Sequence, residues 1–370
     1  MTPKFKKFKI ISFLIAMIIS SGSLKAQDFG SIIAAGAEDA NTYLSHYLSP
    51  AMNSLGNGLA NGWYNTAKAH KTVGVDLTLS FNMAQIPVSE RTFQFIESEF
   101  INMRLDPGVT TTLPTMVGGD APAEQIVIES GNVEYEGQTI PINEDIMFDV
   151  PSGIDLEEVP AVAGLPVPTV NLGIGIYKNT DLKIRYLPEI NAGDFSLKMF
   201  GIGVMHDIKQ WIPGIKNLPF DLSGFFGTSK ITATYQLDID QTQTGTLGTE
   251  TRFYSDPNTN NYGEFVASST TIQALISKKL TVFTPYAGIG VNIVSSRLGV
   301  LGDYIYEITP PASSTQTYTI EDPINIDFKN GGGPRFTIGG RLKLAIFTFH
   351  FDYTLQKYST VTGGFGIAVR

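Results

Sequence analysis

The stretch FTFHFDYTL, residues Phe347–Leu355, carries the clearest signal for a β-strand in the chain. Five large apolar side chains alternate in it with four polar ones, and such alternation places the two sets on opposite faces of one β-strand. Segments of this kind, separated by turns, predict an antiparallel all-β protein. The same two-residue period recurs along the chain at 73–82, 170–176, 182–186, 231–237, 287–293 and 336–344.

The residues on the polar faces distinguish a membrane barrel from a soluble sheet. Glycines on these faces would weaken strands that are exposed to water, but they would make room inside a lumen. The opposite faces carry rows of aliphatic and aromatic side chains suited to lipid, where strands must close so that no edge stays unpaired. We therefore predict a transmembrane antiparallel β-barrel of about 10–14 strands, with a soluble, secreted β-sandwich as the alternative. The glycines are Gly173, Gly175, Gly288, Gly290 and Gly339.

Residues 1–26 have the composition of a signal peptide. Lysines between Lys4 and Lys9 precede the apolar run Ile10–Ile19, and small residues follow it. Cleavage after Ala26 is expected, and an uncleaved anchor is the alternative. Because no later segment has the apolar length of a spanning helix, we expect an exported barrel in the outer membrane of a gram-negative bacterium.

The mature chain is predicted to divide into a plug, residues 27–70, and a barrel, residues 71–370. Within the plug, three-and-four spacing of apolar residues predicts a short helix over 37–48, which should end at Pro50. The Gly- and Asn-rich run over 49–65 favours a compact, turned segment enclosed by the barrel.

Long linkers are predicted on the extracellular side, on the assumption that the plug and the C-terminus both lie on the periplasmic side. They lie at about 83–168, 239–262 and 297–332. The first is an acidic loop, since twelve acidic residues and no basic ones lie between Arg104 and Lys178. Its acids could bind Ca²⁺, and a solvated acidic surface is the alternative. The calcium candidates are Glu144, Asp145 and Asp149.

Composition excludes several classes of protein. The chain has no cysteine, so neither disulfides nor a lipid-modified N-terminal cysteine are available. Five of its 26 basic residues lie in the leader, which leaves 21 against 35 acidic residues and a mature net charge of −14. Nucleic acid is therefore not an expected partner, and apart from loop calcium no cofactor is expected.

Eight side chains are candidates for the lumen or the plug. The four basic ones fall on the predicted lumen face near inner turns, where they would attract anions or clamp the two acids of the plug. The histidine and its neighbouring aspartate share one strand face as a lumen pair. The candidates are Glu38, Asp39, Lys183, Arg185, Arg341, Lys343, His350 and Asp352.

The plug and the first strand together resemble a family of gram-negative outer-membrane proteins without an assigned function. The likeness rests on the step Ser49-Pro50-Ala51, the turn Gly56-Asn57-Gly58, the run 61–67 and the segment 201–213. More distantly, the chain resembles the FadL-type transporters of long-chain fatty acids and other hydrophobic compounds. That likeness implies an N-terminal hatch inside the barrel and passage of apolar substrates, although Ser49 stands where FadL-type hatches carry asparagine.

The leading functional prediction is a plugged channel or transporter for small hydrophobic molecules, gated by residues 27–70. A sealed structural or assembly barrel whose loops bind partner proteins is the first alternative, and the secreted soluble protein is the second. The chain contains four histidines, without paired metal-ligand spacing or a nucleophile motif, so we predict that it is not an enzyme. Outer-membrane lipid is an expected partner, and the sequence carries no signal for an oligomeric state.

Overall fold

The computed structural model describes residues 32–369, except for 34, 108–109, 122–124, 136–137, 157–163, 245–247, 312 and 330. The predicted signal peptide, residues 1–26, lies outside the described residues. One long helix, α1, spans Ala37–Leu59 and precedes the first strand. Within the part of the chain that is described, no helix combines the length and the apolar character needed to cross a membrane.

Ten antiparallel strands form a closed barrel, which confirms the predicted fold class. Each strand pairs with its neighbour in sequence order, and the last strand pairs with the first, so the sheet has no free edge within the barrel. The strands are β1 Val75–Ala84, β2 Pro166–Gly175, β3 Thr180–Ala192, β4 Phe195–Asp207, β5 Asp221–Gln236, β6 Tyr262–Ser277, β7 Phe283–Leu301, β8 Gly333–Leu344, β9 Phe347–Leu355 and β10 Thr360–Val369.

The barrel wall is apolar outside and polar inside. On β9, Phe347, Phe349 and Phe351 are 53%, 50% and 60% exposed, whereas the intervening His350 and Asp352 are 6% and 4% exposed. This is the reverse of a water-soluble sheet, because the apolar rows are left uncovered and the polar rows are enclosed. The soluble sandwich alternative is therefore wrong, since it requires those apolar rows to pack against a second sheet.

The two ends of the barrel differ in their connections. At one end, which we call the short-turn end, the connections are 176–179, 208–220, 278–282 and 345–346. The other end carries the long connections 85–165, 237–261 and 302–332, together with two tight turns. Strand β7 extends to Leu301, so the predicted linker at 297–332 begins inside a strand.

The long connections fold into a cap over their end of the barrel. Their strands form small sheets of two, three and four strands, and one further strand, Ile324–Phe328, pairs with the outer part of β7. A single apolar core joins the cap to the first half of α1. The remaining cap strands are Thr92–Gln94, Met103–Leu105, Thr112–Pro114, Gln125–Ile128, Gly131–Tyr135, Gln138–Ile142, Ile146–Asp149, Asp240–Thr244, Glu250–Ser255, Asp303–Thr309 and Gln316–Glu321.

Helix α1 continues past Pro50, which corrects the prediction that it ends there. A proline inside a helix costs about 3 kcal/mol because it removes one hydrogen bond and crowds the preceding turn. Here Pro50, Ala51 and Met52 are all buried, and burial of the surrounding side chains offsets that cost. The helix lies at the cap end of the barrel, whereas the prediction assumed that the N-terminal segment and the C-terminus lie at the same end.

Candidate functional site: the occupied lumen

Residues 54–70, which we call the lumen segment, run through the barrel from the cap to the short-turn end. At the cap, the hydroxyl of Ser54 donates to the carbonyl of Ala84, the last residue of β1, at 2.7 Å. At the short-turn end, the backbone N–H of His70 donates to Asp181, near the start of β3, at 2.7 Å. Strand β1 then runs back from the short-turn end to the cap, so the segment and β1 have opposite directions.

Arg185 on β3 holds the middle of the segment. Its guanidinium donates to the backbone carbonyls of Leu59 at 2.6 Å and Asn61 at 2.8 Å. It also donates to Asn171 on β2 and Ser229 on β5, and it lies over the ring of Trp63, 3.9 Å from its centroid. A planar fork of donors suits this task, since one side chain can satisfy several acceptors at once.

A second arginine, Arg335 on β8, holds the same turn of chain from the opposite wall. Its guanidinium donates to the carbonyl of Ala60 at 3.1 Å and to the side chain of Asn61. The hydroxyl of Thr271 on β6 donates to the same Ala60 carbonyl at 3.1 Å. Arg335 is absent from the predicted lumen residues because the alternation over 336–344 begins one residue after it, although Arg335 shares the lumen-facing parity of Thr337.

Glycines on the wall make room for Trp63. A Cβ at Gly201, Gly203 or Gly227 would lie between 3.0 and 3.3 Å from atoms of the indole ring. These distances are tighter than ordinary van der Waals contacts, so glycine is required for the ring to fit against β4 and β5. The indole also packs against Phe225, with ring centroids 5.8 Å apart.

The lower half of the segment is also bonded to several strands. The hydroxyl of Tyr64 donates to Gln273 on β6 at 2.6 Å. The carbonyl of Ala67 accepts from the hydroxyl of Ser223 on β5 at 2.6 Å, and its N–H donates to Ser277 on β6 at 3.1 Å. Along its length, the segment therefore forms hydrogen bonds with strands on more than one side of the barrel.

A buried charged cluster surrounds the end of the segment. The ring of His70 lies 2.9 Å from Asp181 and 3.4 Å from Asp76, and the amine of Lys183 lies 3.9 Å from Asp76. A cavity of about 10 Å³ beside them has space for about one water molecule. Lys183 was predicted as a lumen residue; the other three groups were not, because they are brought together only by the closed barrel.

Lys183, Arg185 and Arg341 are buried in the lumen and Lys343 is half-buried at its short-turn end, but these residues do not clamp the two acids of the plug. Arg341 donates to Asn65 at 3.2 Å, and Lys343 donates to the carbonyl of Ala368 at 2.9 Å. Asp39 instead accepts backbone N–H groups from residues 101–103 of the cap, and Glu38 is exposed. The predicted pairing is wrong because the helix starts in the cap, at the far end from this ring.

His350 and Asp352 bond to different neighbours. Asp352 accepts from the hydroxyl of Tyr286 on β7 at 2.7 Å, whereas Nε2 of His350 lies 3.4 Å from the hydroxyl of Ser80 on β1. The two side chains share the inner face of β9, as the alternation predicts. They act in the structure as separate links, each from β9 to a strand two places away in the barrel.

Asp145, one of the calcium candidates in the acidic connection 85–165, is bonded to protein groups. The carboxylate of Asp145 accepts the backbone N–H of Ser130 at 2.8 Å and lies 3.5 Å from Arg104. The hydrogen bond from Ser130, and then the charge of Arg104, hold the pKa of Asp145 below its usual value. Across the described residues, no three His, Cys, Asp or Glu side chains converge on a metal position, so Glu144, Asp145 and Asp149 do not form a three-ligand site.

The wall residues that face the lumen are enclosed over the full height of the barrel. A water-filled pore would leave its lining exposed, but eight polar side chains spread along this lining are each 3% exposed or less. The segment therefore seals the lumen in this conformation. Representative residues from cap end to short-turn end are Asn82, Thr169, Asn171, Ser229, Thr271, Thr337, Ser223 and Asp181.

Several solved structures of membrane barrels resemble the chain. They include the translocator domain of the autotransporter NalP from Neisseria meningitidis, with 11% identity, a TM-score of 0.27, and 91% of this chain and 99% of that chain covered. The Pseudomonas putida toluene transporter TodX has 7% identity and a TM-score of 0.25, with 87% and 97% covered. The CymD monoaromatic hydrocarbon channel has 8% identity and a TM-score of 0.22, also with 87% and 97% covered.

At TM-scores this low, the likenesses carry no argument about function. No curated protein matches the chain. The family model that matches is described as a family of unknown function, DUF6588, and the match covers residues 5–369. That span includes the lumen segment, all ten barrel strands and the cap. The chain therefore belongs to the DUF6588 family and has the fold of an outer-membrane β-barrel.

Proposed function

We propose that this protein is a sealed outer-membrane barrel that anchors a folded, acidic cap on the cell surface, and that the cap binds partner proteins. The observation that carries the proposal is the occupied lumen, in which Arg185 and Arg335 hold the backbone of residues 59–61 from opposite walls. The barrel supplies insertion in lipid, and the lumen segment ties the barrel to the cap through α1.

The cap has the properties expected of a binding surface rather than of flexible loops. It has its own apolar core, built on α1, so its surface is held in one shape. Acidic residues dominate it, with a basic-free stretch of twelve acids between Arg104 and Lys178. A partner with a basic face would be steered toward it by long-range attraction.

Transport of small hydrophobic molecules, the leading prediction from the sequence, remains the alternative. It requires the lumen segment to leave its place, which would break its hydrogen bonds to the wall. Beside apolar residues such as Phe225 and Leu275, the lining carries many hydroxyl, amide and charged groups. An apolar molecule in the lumen would leave those polar groups without partners, at a cost of about 1–3 kcal/mol for each. That the protein is not an enzyme stays a prediction, as do its freedom from nucleic acid and its lack of a cofactor.

Single-channel recording with a reversible lock tests the proposal. The Cβ that a cysteine would bring to position 56 lies 3.7 Å from Cβ of Val294 on β7, within the range of about 3.5–4.5 Å that a disulfide requires. The pair Gly56→Cys and Val294→Cys would fix the end of α1 to the wall. Because the chain has no other cysteine, no competing disulfide can form.

We expect purified protein in planar lipid bilayers to show no conductance, whether it is native, locked or reduced. The single variants Gly56→Cys and Val294→Cys serve as matched controls for the two substitutions. Conductance in the native protein that disappears in the locked form and returns on reduction would overturn the sealed barrel and establish a channel gated by the lumen segment.

A further inference from the structure

The charge at the short-turn end is opposite to that of the cap. Every charged side chain that the structure describes as exposed at this end is a lysine, although the mature chain is strongly acidic. The acids near this end, Asp207 and Asp221, are only partly exposed, and Asp76 and Asp181 are buried. The exposed lysines are Lys68, Lys71, Lys178, Lys216, Lys278 and Lys279.

Four of these lysines lie together on one side of the barrel. Lys178 lies in the turn between β2 and β3, Lys216 in the turn between β4 and β5, and Lys278 and Lys279 in the turn between β6 and β7. We call these four the lysine rim. The turns are neighbours, because β3 pairs with β4 and β5 pairs with β6. On the opposite side, the turn 345–346 between β8 and β9 has no charged residue.

Aromatic side chains are built into the same rim. The amine of Lys178 lies 5.3 Å from the ring centroid of Tyr177 and 5.5 Å from that of Trp211. The indole N–H of Trp211 donates to His206 at 2.8 Å, and Gln210 donates to the carbonyl of Lys178 at 3.0 Å. These bonds fix two neighbouring turns into one unit, while 59% of Trp211 and 70% of Tyr177 stay exposed.

Exposed apolar side chains lie in the same turns as these lysines. Ile212 and Leu218 lie in the turn that contains Lys216, and Leu280 and Val282 lie directly after Lys279. Lysine, aromatic and aliphatic groups together suit the boundary between lipid tails and headgroups, where an apolar body and a charged tip are both satisfied.

We propose that the lysine rim binds the headgroups of anionic phospholipids in the leaflet on the short-turn side of the membrane. The rim offers concentrated positive charge and no exposed acid, which complements a lipid phosphate that carries a net negative charge. Its one-sided placement would gather anionic lipid next to β2–β7 and leave the side of β8–β10 without such lipid. This inference rests on the proposed membrane insertion of the barrel.

Trp211 is a native reporter for the test. The chain has two tryptophans, and Trp63 is buried in the lumen, so Trp63→Phe leaves a single tryptophan at the rim. The protein is reconstituted into phosphatidylcholine vesicles that contain a minor fraction of brominated lipid, with either a phosphatidylglycerol or a phosphatidylcholine headgroup. Bromine quenches tryptophan only at short range, so quenching reports which lipid lies next to Trp211.

We expect brominated phosphatidylglycerol to quench Trp211 more strongly at equal fraction, with a local enrichment on the order of fivefold at low salt that falls as salt is added. Replacing all four rim lysines by glutamine should abolish the preference. Lys209 is left unchanged, because its amine donates to the carbonyls of Leu218 and Phe220 and so holds the turn.

A matched control removes the same charge from the other end. The fourfold variant Lys198→Gln, Lys230→Gln, Lys329→Gln and Lys357→Gln replaces four exposed lysines near the cap and should keep the full preference. Equal quenching by the two brominated lipids, or equal loss of preference in both fourfold variants, would overturn the proposal. A protein that does not float with the vesicles would instead contradict the membrane barrel, so the two failures are distinguishable.

Discussion

Replacement of Arg185 by methionine should loosen the lumen segment without opening the barrel wall. Methionine keeps most of the unbranched stem but removes the donors to Leu59, Asn61, Asn171 and Ser229, four hydrogen bonds of 2.6–3.2 Å. The contact with the ring of Trp63 at 3.9 Å also loses its charge. The wall strands keep their backbone pairing, so the change acts on the segment.

The free-energy cost of Arg185→Met comes from the buried groups that lose their hydrogen-bond donor. Two buried carbonyls, those of Leu59 and Asn61, lose a charged donor, at a cost of about 1–3 kcal/mol each. The lost cation–π contact adds up to about 2 kcal/mol in a buried site. Removal of a buried charge recovers its desolvation cost and offsets part of the sum. We therefore expect the seated segment to lose about 3 kcal/mol, roughly a hundredfold in its opening equilibrium.

Hydrogen–deuterium exchange measures this opening directly, because local release exposes amides while the barrel strands stay protected. Amides of residues 59–70 should exchange roughly a hundredfold faster in Arg185→Met, with β8–β10 unchanged. The exchange rate in Arg185→Lys should lie between those of the native protein and Arg185→Met, since a lysine keeps the charge but cannot reproduce the fork of donors. Lys230→Met, on the exposed outer face of β5, is the control. Unchanged protection at residues 59–70 would refute the claim that Arg185 holds the segment.

Other parts of the account predict separate outcomes. Gly227→Val should lower stability to urea by about 1–3 kcal/mol, because the new side chain overlaps the rings of Phe225 and Trp63. Gly263→Val should not, because its Cβ would meet only ordinary contacts at 3.9 Å; equal urea midpoints in the two variants would contradict the packing. Asp39→Ala should speed proteolysis of the cap, since three backbone N–H groups lose their acceptor, and unchanged cleavage would count against that anchor. Chelation with EDTA should leave the thermal midpoint unchanged, because Asp145 is already bonded to protein groups. A thermal midpoint that rises when calcium is added would show that the protein binds calcium.

The barrel could be predicted from the sequence because a two-residue period specifies both the strand and its outward face. In FTFHFDYTL the predicted faces match the observed burial residue by residue. The glycines on the polar face make room in an enclosed lumen, as predicted: a Cβ at Gly288 would lie 3.3 Å from the hydroxyl of Tyr64, and one at Gly339 would lie 2.5 Å from Cβ of Asp352. Local pattern is enough where each side chain faces either lipid or the interior.

The cap and the path of the N-terminal segment could not be predicted in the same way. Cap strands such as Met103–Leu105 are three residues long, too short to show a period. Pro50 predicted a helix end, and tertiary burial outweighed that local preference. The cluster of His70 and Asp181 joins residues 111 positions apart, and only closure of the barrel brings them together.

The chain enters the barrel from the cap and leaves it at the short-turn end. Single cysteines at two exposed positions on either side of the lumen segment, Glu38→Cys and Val73→Cys, test it with a membrane-impermeant maleimide on intact cells. We predict that Glu38→Cys is labelled on intact cells and that Val73→Cys is labelled only after the outer membrane is permeabilised. Labelling of both positions only after permeabilisation would place the whole segment on the periplasmic side and contradict the account.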